Sequence, residues 1–106
     1  MQRLPPRDFG TEISNGLSCV VFGSKGCSWC EKAKEAIDKR IADKFSEFRF
    51  YEFHVRALGA EEIKKRYDIS SIPVFIIFQD GKEVDRLIGF AAENNLIEMI
   101  KKSLEG

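Results

Sequence analysis

The run Leu17-Ser18-Cys19-Val20-Val21-Phe22-Gly23-Ser24-Lys25-Gly26-Cys27-Ser28-Trp29-Cys30-Glu31 decides the fold. Leu17 to Gly23 is apolar on both parities, the pattern of a strand covered on both faces. Gly23-Ser24-Lys25-Gly26 interrupts it as a loop. A helix is then predicted over Ser28 to Phe45, with an apolar stripe of Cys30, Ala33, Ile37, Ile41 and Phe45 at steps of three, four, four and four. Glu31, Lys32, Glu35, Asp38, Lys39 and Asp43 form its solvated face.

Cys27 and Cys30 fall where the loop becomes the helix. There, free N–H groups and the positive end of the helix dipole meet a sulfur and favour its thiolate. An ordinary thiol, with a pKa near ~8.5, stays mostly protonated at neutral pH. Three residues along a helix also bring the second sulfur beneath the first, within disulfide reach. Cys30 heads the buried stripe, while Cys27 precedes the first turn and faces solvent. This placement casts Cys27 as the attacking sulfur and Cys30 as the resolving one. Trp29 misses the apolar stripe, so it reads either as partly packed against a neighbouring loop or as a rim contact for substrate or glutathione.

Working outward, residues 1–7 read as a loose arm because Pro5-Pro6 blocks regular pairing. Asp8 to Asn15 reads as a short helix capped by Asp8, followed by the turn Asn15-Gly16. Phe48 to Val55 is an aromatic-rich strand, and Ala60 to Tyr67 a short helix. After Ile72-Pro73, Val74 to Phe78 is a third buried strand. Asp80-Gly81 then turns the chain into an antiparallel edge strand, Lys82 to Ile88. Glu93 to Leu104 closes as an amphipathic helix through Leu96, Ile97, Ile100 and Leu104. Helices placed between strands imply an α/β fold: a central mixed sheet of four to five strands flanked by helices on both faces. With no repeat or linker in view, residues 1–106 are expected to form a single domain.

The 17 Lys+Arg and 17 Asp+Glu cancel, so bulk charge gives no nucleic-acid footprint. The longest apolar runs are of strand length, so no membrane span is expected. Met1 to Gly10 lacks a following apolar segment of the secretory kind, and the expectation is a cytoplasmic protein. The 3 cysteines are too few for a disulfide scaffold. They read as a working pair plus Cys19, a small buried hydrophobe. A zinc site needs four ligands, and beyond the pair only Cys19 and His54 remain, both inside predicted strands. No metal and no separate cofactor are therefore expected.

These features together resemble the thioredoxin family. Val20 to Cys30 is similar to its active-site strand and loop, and Tyr67 through Phe78 to the segment around its cis-proline. Asp80-Gly81-Lys82 matches its hairpin, and Gly89 the glycine after its last strand. The resemblance implies a thioredoxin-like fold and a thiol–disulfide oxidoreductase working through a Cys27–Cys30 dithiol–disulfide cycle. It also implies a cis Ile72–Pro73 bond facing the cysteines, with the Ile72 backbone free to pair with an extended substrate. Protein disulfides or dithiols are then the substrates, a thioredoxin-reductase-type protein the electron donor, and a monomer the working form.

The departures are specific. Gly26-Cys27-Ser28-Trp29-Cys30-Glu31 replaces the usual Trp-Cys-Gly-Pro-Cys-Lys, and Val21 stands where the family carries a buried Asp. Glu52 occupies the place of a Lys on the next strand and is the candidate base for Cys30, with His54 as runner-up. The aromatic before the second cysteine is more like glutaredoxins and some disulfide isomerases, so a glutathione-linked or isomerase-type enzyme is the alternative within the same chemistry. A non-catalytic binding module of the same fold is the alternative outside it.

Overall fold

The computed structural model describes residues 1–105. Five strands form one mixed sheet in the order β1-β3-β2-β4-β5. They are β1 (Gln2–Arg3), β2 (Leu17–Gly23), β3 (Phe48–His54), β4 (Val74–Gln79) and β5 (Lys82–Ile88). The helices are α1 (Phe9–Ile13), α2 (Ser28–Ala36), α3 (Glu61–Arg66) and α4 (Glu93–Glu105). β1 and β2 run parallel to β3, whereas β4 runs antiparallel to both β2 and β5. The central strand is β2, which is why its residues are apolar on both parities.

Strand alternation sorts the core into two clusters. Val20, Phe22, Tyr51, Phe53, Val74, Ile76 and Phe78 pack with Phe9 and Ile13 of α1 and Ile63 of α3. Cys19, Val21, Phe50, Phe75 and Ile77 pack with Ala33 and Ala36 of α2 and Leu96 and Ile100 of α4. The sheet is thus covered on both faces, as the order of elements implied. Among the described residues no helix is long and apolar enough to cross a membrane. At the end of the sheet away from the cysteines, Asp80 (φ 51°) and Gly81 (φ 86°) both adopt the left-handed conformation that the tight β4–β5 hairpin requires. Asp80 Oδ1 accepts the Gly16 N–H at 2.7 Å, tying this hairpin to the turn before β2.

Three expectations need correction. The arm over residues 1–7 is docked rather than loose: Gln2 and Arg3 pair with Tyr51 and Glu52, Leu4 N–H donates to Glu52 O at 2.8 Å, and the Leu4 side chain is buried. The prolines lack N–H groups only from residue 5 onward, after the last pairing bond, so they end this strand without preventing it. Asp8 makes no side-chain cap, because a 3-10 turn over Pro6–Asp8 runs straight into α1 and Phe9 N–H bonds back to Pro6 O. The helix predicted over Ser28 to Phe45 stays α-helical only to Ala36, then passes through a π turn at Ile37–Ile41 and a 3-10 turn at Ala42–Lys44. Successive four-residue steps overshoot an α-helical turn by about 40° each. The wider π turn absorbs that drift and keeps Ile37, Ile41 and Phe45 in one buried cluster.

Candidate active site

Cys27 is the N-cap residue of α2, in extended conformation (φ −91°, ψ 108°). Its Sγ accepts the backbone N–H of Cys30 at 3.2 Å, and Glu31 N–H bonds to its carbonyl at 3.1 Å. A helix N-terminus thereby directs both an amide and its dipole at this sulfur. The two cysteines are joined as a disulfide with Cα atoms 5.2 Å apart. Cys27 is half-buried and Cys30 is 7% exposed, so the exchangeable sulfur nearer solvent is that of Cys27.

The end of β2 makes room for Cys30. A Cβ on Gly23 would stand 2.9 Å from Cys30 Sγ and 3.1 Å from its Cβ. Only glycine lets the strand approach the sulfur this closely. Beyond that contact lies a cavity of about 120 Å³ lined by Val21, Gly23, Cys30, Lys34, Glu52 and His54, among others, large enough for several waters.

Glu52 stands beside Val21 in the β2–β3 register, and His54 beside Gly23. The Glu52 side chain is 17% exposed and turned into the cavity rather than to bulk water. Its Oε2 lies 3.3 Å from Lys34 Nζ, and its Oε1 lies 3.4 Å from His54 Nε2. Three of the residues singled out from sequence, Cys30, Glu52 and His54, thus border the same cavity.

The Ile72–Pro73 peptide bond is cis. Val74 pairs with Phe22, which places Pro73 at the end of the sheet where β2 gives way to the Cys27 loop. Pro73 O accepts the Gly89 N–H at 2.8 Å. The Ile72 side chain leans on the α1/α3 core cluster. Among the described residues the Ile72 backbone N–H and C=O have no hydrogen-bonding partner. Trp29 is 53% exposed, with Lys32 Nζ 4.5 Å from the ring centroid. Cys19, in mid-strand on β2, is fully buried and unpaired.

Sequence reasoning missed three contributors, each with a usable signal. Gly23 ends a buried strand, where glycine often marks a close approach. Lys34 lies four residues after Cys30, hence on the same face of α2, and Lys32 lies three after Trp29.

A family model described as a thioredoxin-like domain matches residues 14–104. The chain belongs to the thioredoxin-like family. The Staphylococcus aureus thioredoxin is 29% identical over 97 residues, covering 92% of this chain and 91% of that protein. The X-ray structure of Fasciola hepatica thioredoxin superposes with a TM-score of 0.80 at 29% identity, covering 96% of this chain and 98% of that one. Chlamydomonas reinhardtii thioredoxin f2 has the same fold, with a TM-score of 0.87 at 19% identity over 97% and 95% of the two chains. With this family membership and a Cys-x-x-Cys pair at bonding distance, the thioredoxin-like chain is a thiol–disulfide oxidoreductase whose redox-active group is the Cys27–Cys30 disulfide.

Proposed function

We propose that the protein exchanges disulfides with protein substrates by a two-step cycle in which Cys27 attacks and Cys30 resolves. In the reducing direction, the Cys27 thiolate attacks a substrate disulfide, forming a mixed disulfide and releasing one substrate thiolate. Cys30, having given up its proton, attacks Cys27 Sγ. The Cys27–Cys30 bond forms, the second substrate thiolate leaves, and the substrate is reduced by two electrons. The sulfurs are the redox groups, so the cycle draws on no other cofactor. A thioredoxin-reductase-type donor returns the two electrons, and the protein works as a monomer.

The observation that carries this assignment is the asymmetry of the pair: Cys27 Sγ receives an amide at the start of α2 and is the more accessible, while Cys30 is buried against Gly23. Substrate docks along Ile72 and Pro73, where the Ile72 backbone offers an unpaired N–H and C=O, and against the exposed Trp29 ring. Glu52 takes the Cys30 proton through the shared cavity, a task Val21 cannot perform.

Limiting alkylation of the reduced protein tests the roles, with Cys27 expected to be labelled first. Cys30→Ser is expected to accumulate a mixed disulfide with substrate and Cys27→Ser to form none. Preferential labelling of Cys30 or Cys19 overturns the assignment. Turnover with thioredoxin reductase, compared with glutathione plus its reductase, tests the donor; activity only in the glutathione system would favour the reading suggested by Trp29.

A further inference from the structure

We propose that Lys34 is a positioning residue for the resolving step, holding the Glu52 side chain directed into the cavity beside Cys30. The proposal rests on the assignment of Glu52 as the base and adds a residue to it. Lys34 follows Cys30 by one helical turn, so both side chains leave the same face of α2 and line the same cavity. From that face the Lys34 ammonium reaches across to β3 and meets Glu52 Oε2 at 3.3 Å. The helix that carries the resolving sulfur is thereby clamped, through one ion pair, to the strand that carries its base.

The surroundings make Lys34 the effective cation. Lys25 and Glu31 border the cavity from the loop and from α2, and Met1 borders it too, with its amino group engaged by Asp38. Arg3, the register partner of Glu52 on β1, is exposed. His54 Nε2, 3.4 Å from Glu52 Oε1, contributes charge only when protonated. Lys34 sets its ammonium directly against the carboxylate. It does so from a position 45% exposed, so its effect is screened and modest.

The chemistry balances within the chain. The Cys30 proton passes to Glu52, directly or through cavity water. Cys30 then attacks Cys27 Sγ, the Cys27–Cys30 bond forms, and the substrate thiolate leaves. Lys34 transfers nothing; it holds the Glu52 carboxyl group in place beside the cavity.

Single-turnover mixing of the reduced protein with a limiting aromatic disulfide that releases coloured thiolates separates the steps. The first release reports attack by Cys27 and the second reports resolution by Cys30. For Lys34→Gln, the second phase is expected to slow about three-fold in its pH profile. The first phase should be unchanged, and Lys34→Arg should restore the profile. Glu52→Gln should abolish the pH step, and adding Lys34→Gln to it should change nothing more. If Glu52→Gln removes the step but Lys34→Gln superposes on the unmodified protein, the role of Lys34 is overturned and the base stands. If Glu52→Gln leaves the second phase untouched, the base falls and the role of Lys34 falls with it.

Discussion

On one face of the sheet, Phe9, Phe22, Phe53, Tyr67 and Phe78 pack in tilted and edge-to-face pairs, with neighbouring centroids between 5.2 and 6.1 Å apart. On the other face, one step along the same strands, Val21, Gly23, Glu52 and His54 border a cavity with Cys30 and Lys34. Phe22 pairs with Phe53, and the residues on either side of that pair, Val21 with Glu52 and Gly23 with His54, point the opposite way. A strand's two-residue period therefore lets adjacent residues serve opposite needs. The aromatic face supplies packing. The other leaves room, charge and close backbone contact around a sulfur. If this division is real, substitutions on the two faces should separate stability from exchange chemistry.

The largest expected effect is on the aromatic face. Phe22→Ala, which removes a fully buried ring, should cost about 3–5 kcal/mol in chemical denaturation. Any molecules that stay folded should exchange disulfides at near-normal rates, whereas Glu52→Gln should show the reverse pattern. Equal stability losses from the two would break the comparison.

Gly23→Ala probes the contact between the faces. The added methyl enters the space of Cys30 Sγ at 2.9 Å, against a backbone held to β3 by the pairing of Gly23 with His54 and by the Val55 N–H that its carbonyl accepts. A loss of about 1–3 kcal/mol is expected in the oxidised protein. Resolution by Cys30 should also slow, measured as the second phase of single-turnover exchange. A variant as stable and as fast as the unmodified protein would show that the close approach is incidental.

Cys19 lies on the same face as Cys30 but deeper, and it sharpens the contrast between a buried spectator and a working sulfur. Burial pushes its thiol from 9.0 up to about 12. The folded value lies above the unfolded one, so stability is intact below pH 9 and is lost as pH climbs toward about 12. This single group contributes a slope of about 1.4 kcal/mol per pH unit in that window. Denaturation midpoints of Cys19→Ala and the unmodified protein should therefore converge across it. Parallel profiles would contradict the burial effect.

The smallest stability effect is expected at Trp29. With its ring 53% exposed, Trp29→Ala should shift stability by no more than about 0.5 kcal/mol. It should still lower kcat/KM for protein disulfides. A large loss of stability would mean that the ring is a packing element instead.

Much of this was legible locally. The periodicity of Leu17 to Gly23 and of Val74 to Phe78 gave away buried strands because burial on both faces demands apolar residues at every position. Cys27 and Cys30 announced themselves because the start of a helix is itself a local feature. The same reasoning erred at residues 1–7, where Pro5-Pro6 outweighed the pairing and burial available to Gln2, Arg3 and Leu4. It erred again after Ala36, where an apolar spacing wider than the α-helical turn drew the backbone into a π turn. For the arm the deciding partner was β3, which a local pattern does not contain.

The sequence alone determined the order of elements, the pair of sulfurs and their asymmetry, since each follows from spacing within a few residues of chain. Tertiary structure decided what surrounds Cys30. Gly23 lies seven residues before it, Lys34 four after, and Glu52 and His54 a whole strand away. Only the parallel β2–β3 register, which sets Glu52 beside Val21 and His54 beside Gly23, and the seating of α2 across that face bring them to one cavity. Charge and burial act through space, so the environment of the Cys30 sulfur came into being only when strand and helix were packed together.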